Sequence, residues 1–125
     1  MLKQILTIAA TMLIMDTLWL GLISKKFIQK QLGNKLKNPI NFKAATLVYI
    51  LLVTGIYLFV LNNNFATTTP TTILLGALFG FIIYGIYDFT NLSTLKNWPI
   101  KLVLVDILWG AIIGATSTLA AILVK

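Results

Sequence analysis

Every acidic residue of this chain lies inside an apolar run long enough to cross a lipid bilayer. Four such runs occur, at about residues 3–24, 39–61, 70–95 and 99–124, each near the roughly 20 residues that a bilayer core requires. Asp16 falls in the first, Asp88 in the third and Asp106 in the fourth. Hydrophobic residues make up 58% of the chain and charged residues 10%, against about 25% charged in ordinary globular domains. The runs predict an all-α integral membrane protein: a compact bundle of four transmembrane helices forming a single domain over residues 1–125. Lys3 ahead of the first run imitates a signal peptide, but Asp16 interrupts the run and no small-residue cleavage site follows. A retained span is expected.

The prolines punctuate the spans. Pro39 follows Asn38, Pro70 follows Thr69, and Pro99 follows Asn97 and Trp98. Proline suits the first helical position, where its missing N–H is no loss, and Asn38 and Thr69 are good N-cap residues. Each proline therefore predicts a helix start.

Lysine predicts the orientation. All ten basic residues are lysines. Lys25, Lys26, Lys30, Lys35, Lys37 and Lys43 crowd the first loop, Lys96 and Lys101 flank the third, and only Lys3 and Lys125 fall on the other side. By the positive-inside rule, loops one and three are cytoplasmic and both termini outside. Phe27, Ile28, Leu32, Leu36 and Ile40 recur at near-helical spacing, so the 25–43 loop is suited to lying on anionic lipids. The absence of arginine argues against nucleic acid as a partner. With no cysteine and no histidine, disulfides, thiolate chemistry and c-type or histidine-ligated haem are excluded. Asp and Asn oxygens could hold a hard cation, but no zinc or copper site is expected, and the expectation is no metal and no cofactor.

The acids then define a candidate site. Each sits about 10–12 Å inside its span from the lysine-rich side, so three spans bring carboxylates to one expected layer. A buried Asp costs about 2.5–3.5 kcal/mol on insertion scales. The three must therefore be paired, protonated or hydrated, and close neighbours do not all ionise. Asp16-Thr17-Leu18-Trp19 and Asp106-Ile107-Leu108-Trp109 share the pattern D-x-L-W, with the indole one turn from the acid. Because spans one and four run in opposite directions, Trp19 and Trp109 are expected on opposite sides of the acid layer. Tyr84, Tyr87, Thr90, Asn91 and Thr94 add hydroxyls and an amide from span three. Gly76 and Gly80, and Gly110 and Gly114, form two G-x-x-x-G stripes, which in lipid mark close helix packing.

Three stretches together carry a resemblance: D-x-L-W-L-G from Asp16 to Gly21, Y-D-F-T-N-L-S-T-L-K-x-W-P from Tyr87 to Pro99, and V-D-I-L-W-G from Val105 to Gly110. The chain resembles the bacterial membrane-protein family catalogued as domain of unknown function 2177, over essentially its whole length. That resemblance implies a small four-span protein and singles out Asp16, Trp19, Asp88, Thr90, Asn91, Lys96, Trp98, Asp106 and Trp109. It also implies a multi-pass location in a bacterial inner (cytoplasmic) membrane, and it implies no reaction.

Three functions compete. A proton- or cation-linked carrier of a small solute would use the acid layer, with Asp16, Asp88, Asp106, Asn91, Thr90, Trp19, Trp109, Tyr84 and Tyr87 as binding residues, and would need a homodimer for a large cargo. A lipid-binding or lipid-modifying enzyme would use Asp88 or Asp106 as acid or base, with Lys96 and Trp98 facing the headgroups. An accessory subunit would dock onto a larger membrane complex through the glycine stripes. The carrier is the leading expectation.

Overall fold

In the computed structural model, which describes residues 1–37 and 39–125, the described residues form four long helices and one short one. These are α1 (Leu2–Ile23), α2 (Lys25–Leu32), α3 (Phe42–Leu61), α4 (Thr69–Thr94) and α5 (Ile100–Leu123). Apart from α2, each is long and apolar enough to span a bilayer. The final turns of α1 (Trp19–Ile23) and α3 (Ile56–Leu61) widen to π-helix. At the end of α1, the Ser24 amide and hydroxyl both bond to the Trp19 carbonyl, at 2.7 and 2.8 Å.

Two helix starts, those of α3 and α4, carry side-chain caps, and prolines mark the starts of α4 and α5. Asn41 caps α3, its amide oxygen accepting from the Ala44 amide at 3.2 Å. Pro39 thus lies ahead of the helix instead of in its first turn, and the expected Asn38 cap lies outside the described residues. Thr68 takes the place expected of Thr69, forming a reciprocal cap with Thr71 and leaving Pro70 in the first turn. Pro99 precedes α5 in extended conformation. Between α4 and α5, Asn97 adopts φ 59°, a left-handed conformation that asparagine tolerates better than most residues. Lys35 Nζ reaches across from the first loop and donates to the Asn97 carbonyl at 2.8 Å. In that loop the helical spacing holds for Phe27, Ile28 and Leu32, half-buried on α2. Gly33, at φ 54°, ends the helix, so Leu36 and Ile40 fall outside it.

The backbone of the bundle is the α4–α5 pair. Gly76 faces Gly114 and Gly80 faces Gly110, so the two helices run antiparallel with their main chains in contact. A methyl group on Gly110 would lie 2.7 Å from the Gly80 carbonyl oxygen, and one on Gly76 would lie 2.8 Å from that of Gly114. Close approach of this kind gains van der Waals contact in a solvent that gives helices no hydrophobic reason to associate. All four glycines are buried. The stripes are therefore occupied within the chain, which removes them as the docking face expected for an accessory subunit.

On this pair α1 packs antiparallel to α5. Gln4 donates to the Ala121 carbonyl at 3.3 Å, and Trp109 donates to Asp16 further along. Ile8, Met12, Ile56, Val60 and Ile113 fill the space between α1, α3 and α5. The far part of α3 meets α4, where Phe79 closes onto Gly55. Towards the lysine-rich end, the two helices leave a gap.

Alanine at Gly80 or Gly110 should force α4 and α5 apart and cost about 2–3 kcal/mol, the scale of overpacking. Gly21→Ala, where an added methyl meets no atom within 4 Å, serves as the tolerated control. Thermal melts in detergent check this, and a Gly80→Ala melt superimposable on wild type would contradict the contact.

Candidate functional site

The three acids occupy three different environments. Asp16 is a structural tie. Its Oδ1 accepts from Trp109 Nε1 at 2.9 Å, and its Oδ2 accepts from the Tyr49 hydroxyl. One carboxylate thus joins α1 to α3 and α5, with 9% of its surface exposed. Both donors are neutral, and such a buried network holds firmly only when every member is satisfied.

Trp109 also explains the repeated D-x-L-W pattern, though not as expected. Its indole serves the Asp of the other copy of the motif. Trp19 stacks flat on it, with ring centres 4.6 Å apart and planes within 6°. The two tryptophans therefore lie together, and the expectation that they flank an acid layer is corrected. The reason is register: Asp16 pairs with Trp109, nearly a full turn beyond Asp106 along α5. Each acid is accordingly displaced along the bundle from the next, and the single layer becomes a stagger.

Asp88 is sealed. It is 0% exposed, and among the described residues its carboxyl meets only that of Asp106, with which it can share a proton. It follows the glycine stripe of α4 onto the face that meets α5, and Asp106 is its acidic neighbour. Tyr84 presses on Gly110 where the helices touch. Ser117 of α5 is also buried, its hydroxyl without a hydrogen-bond partner among the described residues.

Asp106 alone reaches open space. A cavity of about 560 Å³ lies between α3 and α4, lined by Val48, Leu51, Leu52, Phe79, Ile83, Tyr84, Tyr87 and Asp106. Leu51, Val48 and Tyr87 are exposed on the outer surface of the bundle, so the space is a groove opening sideways between two spans. Its size falls within the range of small-molecule sites. Among the described residues, Asp106 is the one carboxylate in its lining.

The remaining candidates divide. Tyr84 and Tyr87 line the groove with Asp106. Asn91 is half-buried one turn beyond Tyr87, while Thr90 is exposed, its carbonyl accepting from the Ser93 and Thr94 hydroxyls. Lys96 is exposed at the lysine-rich end. Trp98 packs edge-on against Tyr87, ring centres 6.3 Å apart, with its indole nitrogen buried.

Two parts of the arrangement have no counterpart among the sequence candidates: Tyr49, the second partner of Asp16, and the groove wall on α3. Tyr49 carries a weak signal as one of two tyrosines in its span. Nothing in the sequence separates it from Tyr57.

These environments predict unequal responses to removal of a carboxylate. Asp16→Leu strands the Tyr49 and Trp109 donors and should cost about 2–4 kcal/mol. Asp88→Leu removes only a carboxyl–carboxyl contact with Asp106 and strands no N–H or phenol donor, so it should cost clearly less than Asp16→Leu. Equal losses in detergent melts would contradict the assignment.

The comparisons with known proteins agree with the motif resemblance. A family model described as "Predicted membrane protein (DUF2177)" matches residues 1–123. No curated protein and no solved structure matches the chain significantly.

Proposed function

The chain belongs to the DUF2177 family of predicted membrane proteins, and from that premise we propose that it binds a membrane-dissolved amphiphile in the groove between α3 and α4. The apolar tail lies along Val48, Leu51, Leu52 and Ile83, and the polar head meets Asp106. The observation that carries this reading is the sideways opening of an apolar groove with one carboxylate in its wall. A ligand dissolved in the bilayer enters such a groove without crossing water, and burying its tail replaces lipid contacts with shaped protein contacts.

The other readings draw less support. A small-solute carrier built on three converging acids needs Asp16 and Asp88 to face the cargo, but one is fully bonded and the other sealed. General acid–base modification of a lipid needs two groups within reach of the reacting atoms, and Asp88 does not line the groove. Movement of the amphiphile across the bilayer would use the same site. One chain supplies the whole groove, so a homodimer is not needed for a ligand of this size.

We place the lysine-rich end at the cytoplasmic face of a bacterial inner membrane, following the eight lysines of loops one and three. That end then also suits anionic headgroups. The chain has no native cysteine, so single cysteines report orientation cleanly. A cysteine at Asn64 should label with an impermeant thiol reagent in intact cells, and one at Lys30 only after lysis. The reverse pattern would overturn the orientation.

The groove itself is tested with the full chain in nanodiscs and a diazirine-bearing acyl amphiphile. Crosslinks should map to α3 and α4 around Leu51 and Ile83. Leu51→Trp, which fills the groove, should weaken labelling about tenfold, an overpacking cost of about 1.4 kcal/mol. Labelling spread evenly over all four spans, unchanged by Leu51→Trp, would refute the site.

A further inference from the structure

We infer that the groove selects a lipophilic cation: an amphiphile whose head carries a fixed or protonated ammonium-type charge. This rests on the groove reading above and names the chemical class of its ligand. Three of the eight lining residues are aromatic, Phe79, Tyr84 and Tyr87, and a fourth is Asp106. Aromatic rings attract cations through their negative faces, most strongly away from water, and aromatic groups with a carboxylate form a known recognition mode for ammonium heads. An anionic head would meet Asp106 with no lysine in the lining among the described residues. A neutral alcohol would use Asp106 only as a hydrogen-bond acceptor and gain nothing from its charge.

The surroundings of Asp106 strengthen the choice. The titratable groups that bear on it from neighbouring helices are Asp88, Tyr84 and Tyr87 on α4 and Asp16 on α1, with Tyr49 of α3 next to Tyr84. All are acids or phenols; none supplies positive charge. Among the described residues Asp106 therefore has no cationic partner, only the Asp88 carboxyl, and a cationic head in the groove would hold the outer member of that pair ionised. Protons compete for the same carboxylate, so cation binding must weaken as pH falls.

The test uses the full chain in phosphatidylcholine nanodiscs, with displacement of the diazirine amphiphile as readout. Dodecyltrimethylammonium, whose charge does not titrate, is compared with dodecanol, and empty nanodiscs correct for partition. The cation should displace the probe roughly ten- to hundredfold more effectively than the alcohol. Its advantage should shrink as the pH is lowered and disappear in Asp106→Asn, while dodecanol stays unchanged by either. If Asp106→Asn does not fold, the pH series on the wild-type protein decides alone. Equal displacement by cation and alcohol, flat with pH, overturns the cation assignment but leaves the groove standing. Failure of both to displace the probe, with probe labelling itself indifferent to Leu51→Trp, removes the groove and the cation together.

Discussion

Two glycine pairs, Gly76 with Gly114 and Gly80 with Gly110, let α4 and α5 touch along their backbones, and the other positions in the bundle depend on that contact. It sets the register that presses Tyr84 onto Gly110 and buries Asp88 between the two helices. It also brings α5 far enough across α4 that Asp106 emerges on the other side, into the space beside α3. The far end of α3 is packed into the core through Ile56 and Val60, with Phe79 against Gly55, and its near end is tied by the Tyr49–Asp16 hydrogen bond. On its α4 side, around Val48 and Leu51, the groove stays open.

Three residues of one type thereby acquire three roles. Asp16, bonded to neutral donors on two helices, works as a fastener. Asp88, enclosed, meets only the Asp106 carboxyl among the described residues, so it ties no third helix into the bundle as Asp16 does. Asp106 has access to a ligand. In a bilayer core a carboxylate is costly wherever it stands, and what separates a fastener from a site is whether its lone pairs are already taken. By that criterion the proposed site falls at Asp106 and Asp16 is structural, with the stacked Trp19 and Trp109 beside it.

Much of the fold could be read from the chain because membrane spans obey a length rule that leaves few alternatives. The apolar runs match the helices to within one to three residues, with the largest offset at α3, where the turn chemistry of Asn41 prevailed over Pro39. The glycine stripes were legible as packing faces, yet not which stripe faced which. Register was the quantity out of reach. Depth counted from span ends put the acids level, whereas contacts between particular side chains stagger them, and that stagger converts D-x-L-W from two local pairs into one interhelical cluster. The groove had no sequence signal on α3, because Val48, Leu51 and Leu52 look like any lipid-facing or core residues until a neighbouring helix stands back from them.

The central claim is that α3 and α4 stand apart around a ligand space ending at Asp106. The most direct measurement is an experimental structure of the full chain in lipid nanodiscs supplied with a long-chain amphiphile. The account predicts elongated density between Leu51 and Ile83 with its head against Asp106, and an Asp16 carboxylate still bonded to Tyr49 and Trp109. Helices α3 and α4 packed shut over Asp106, with the amphiphile elsewhere, would contradict it.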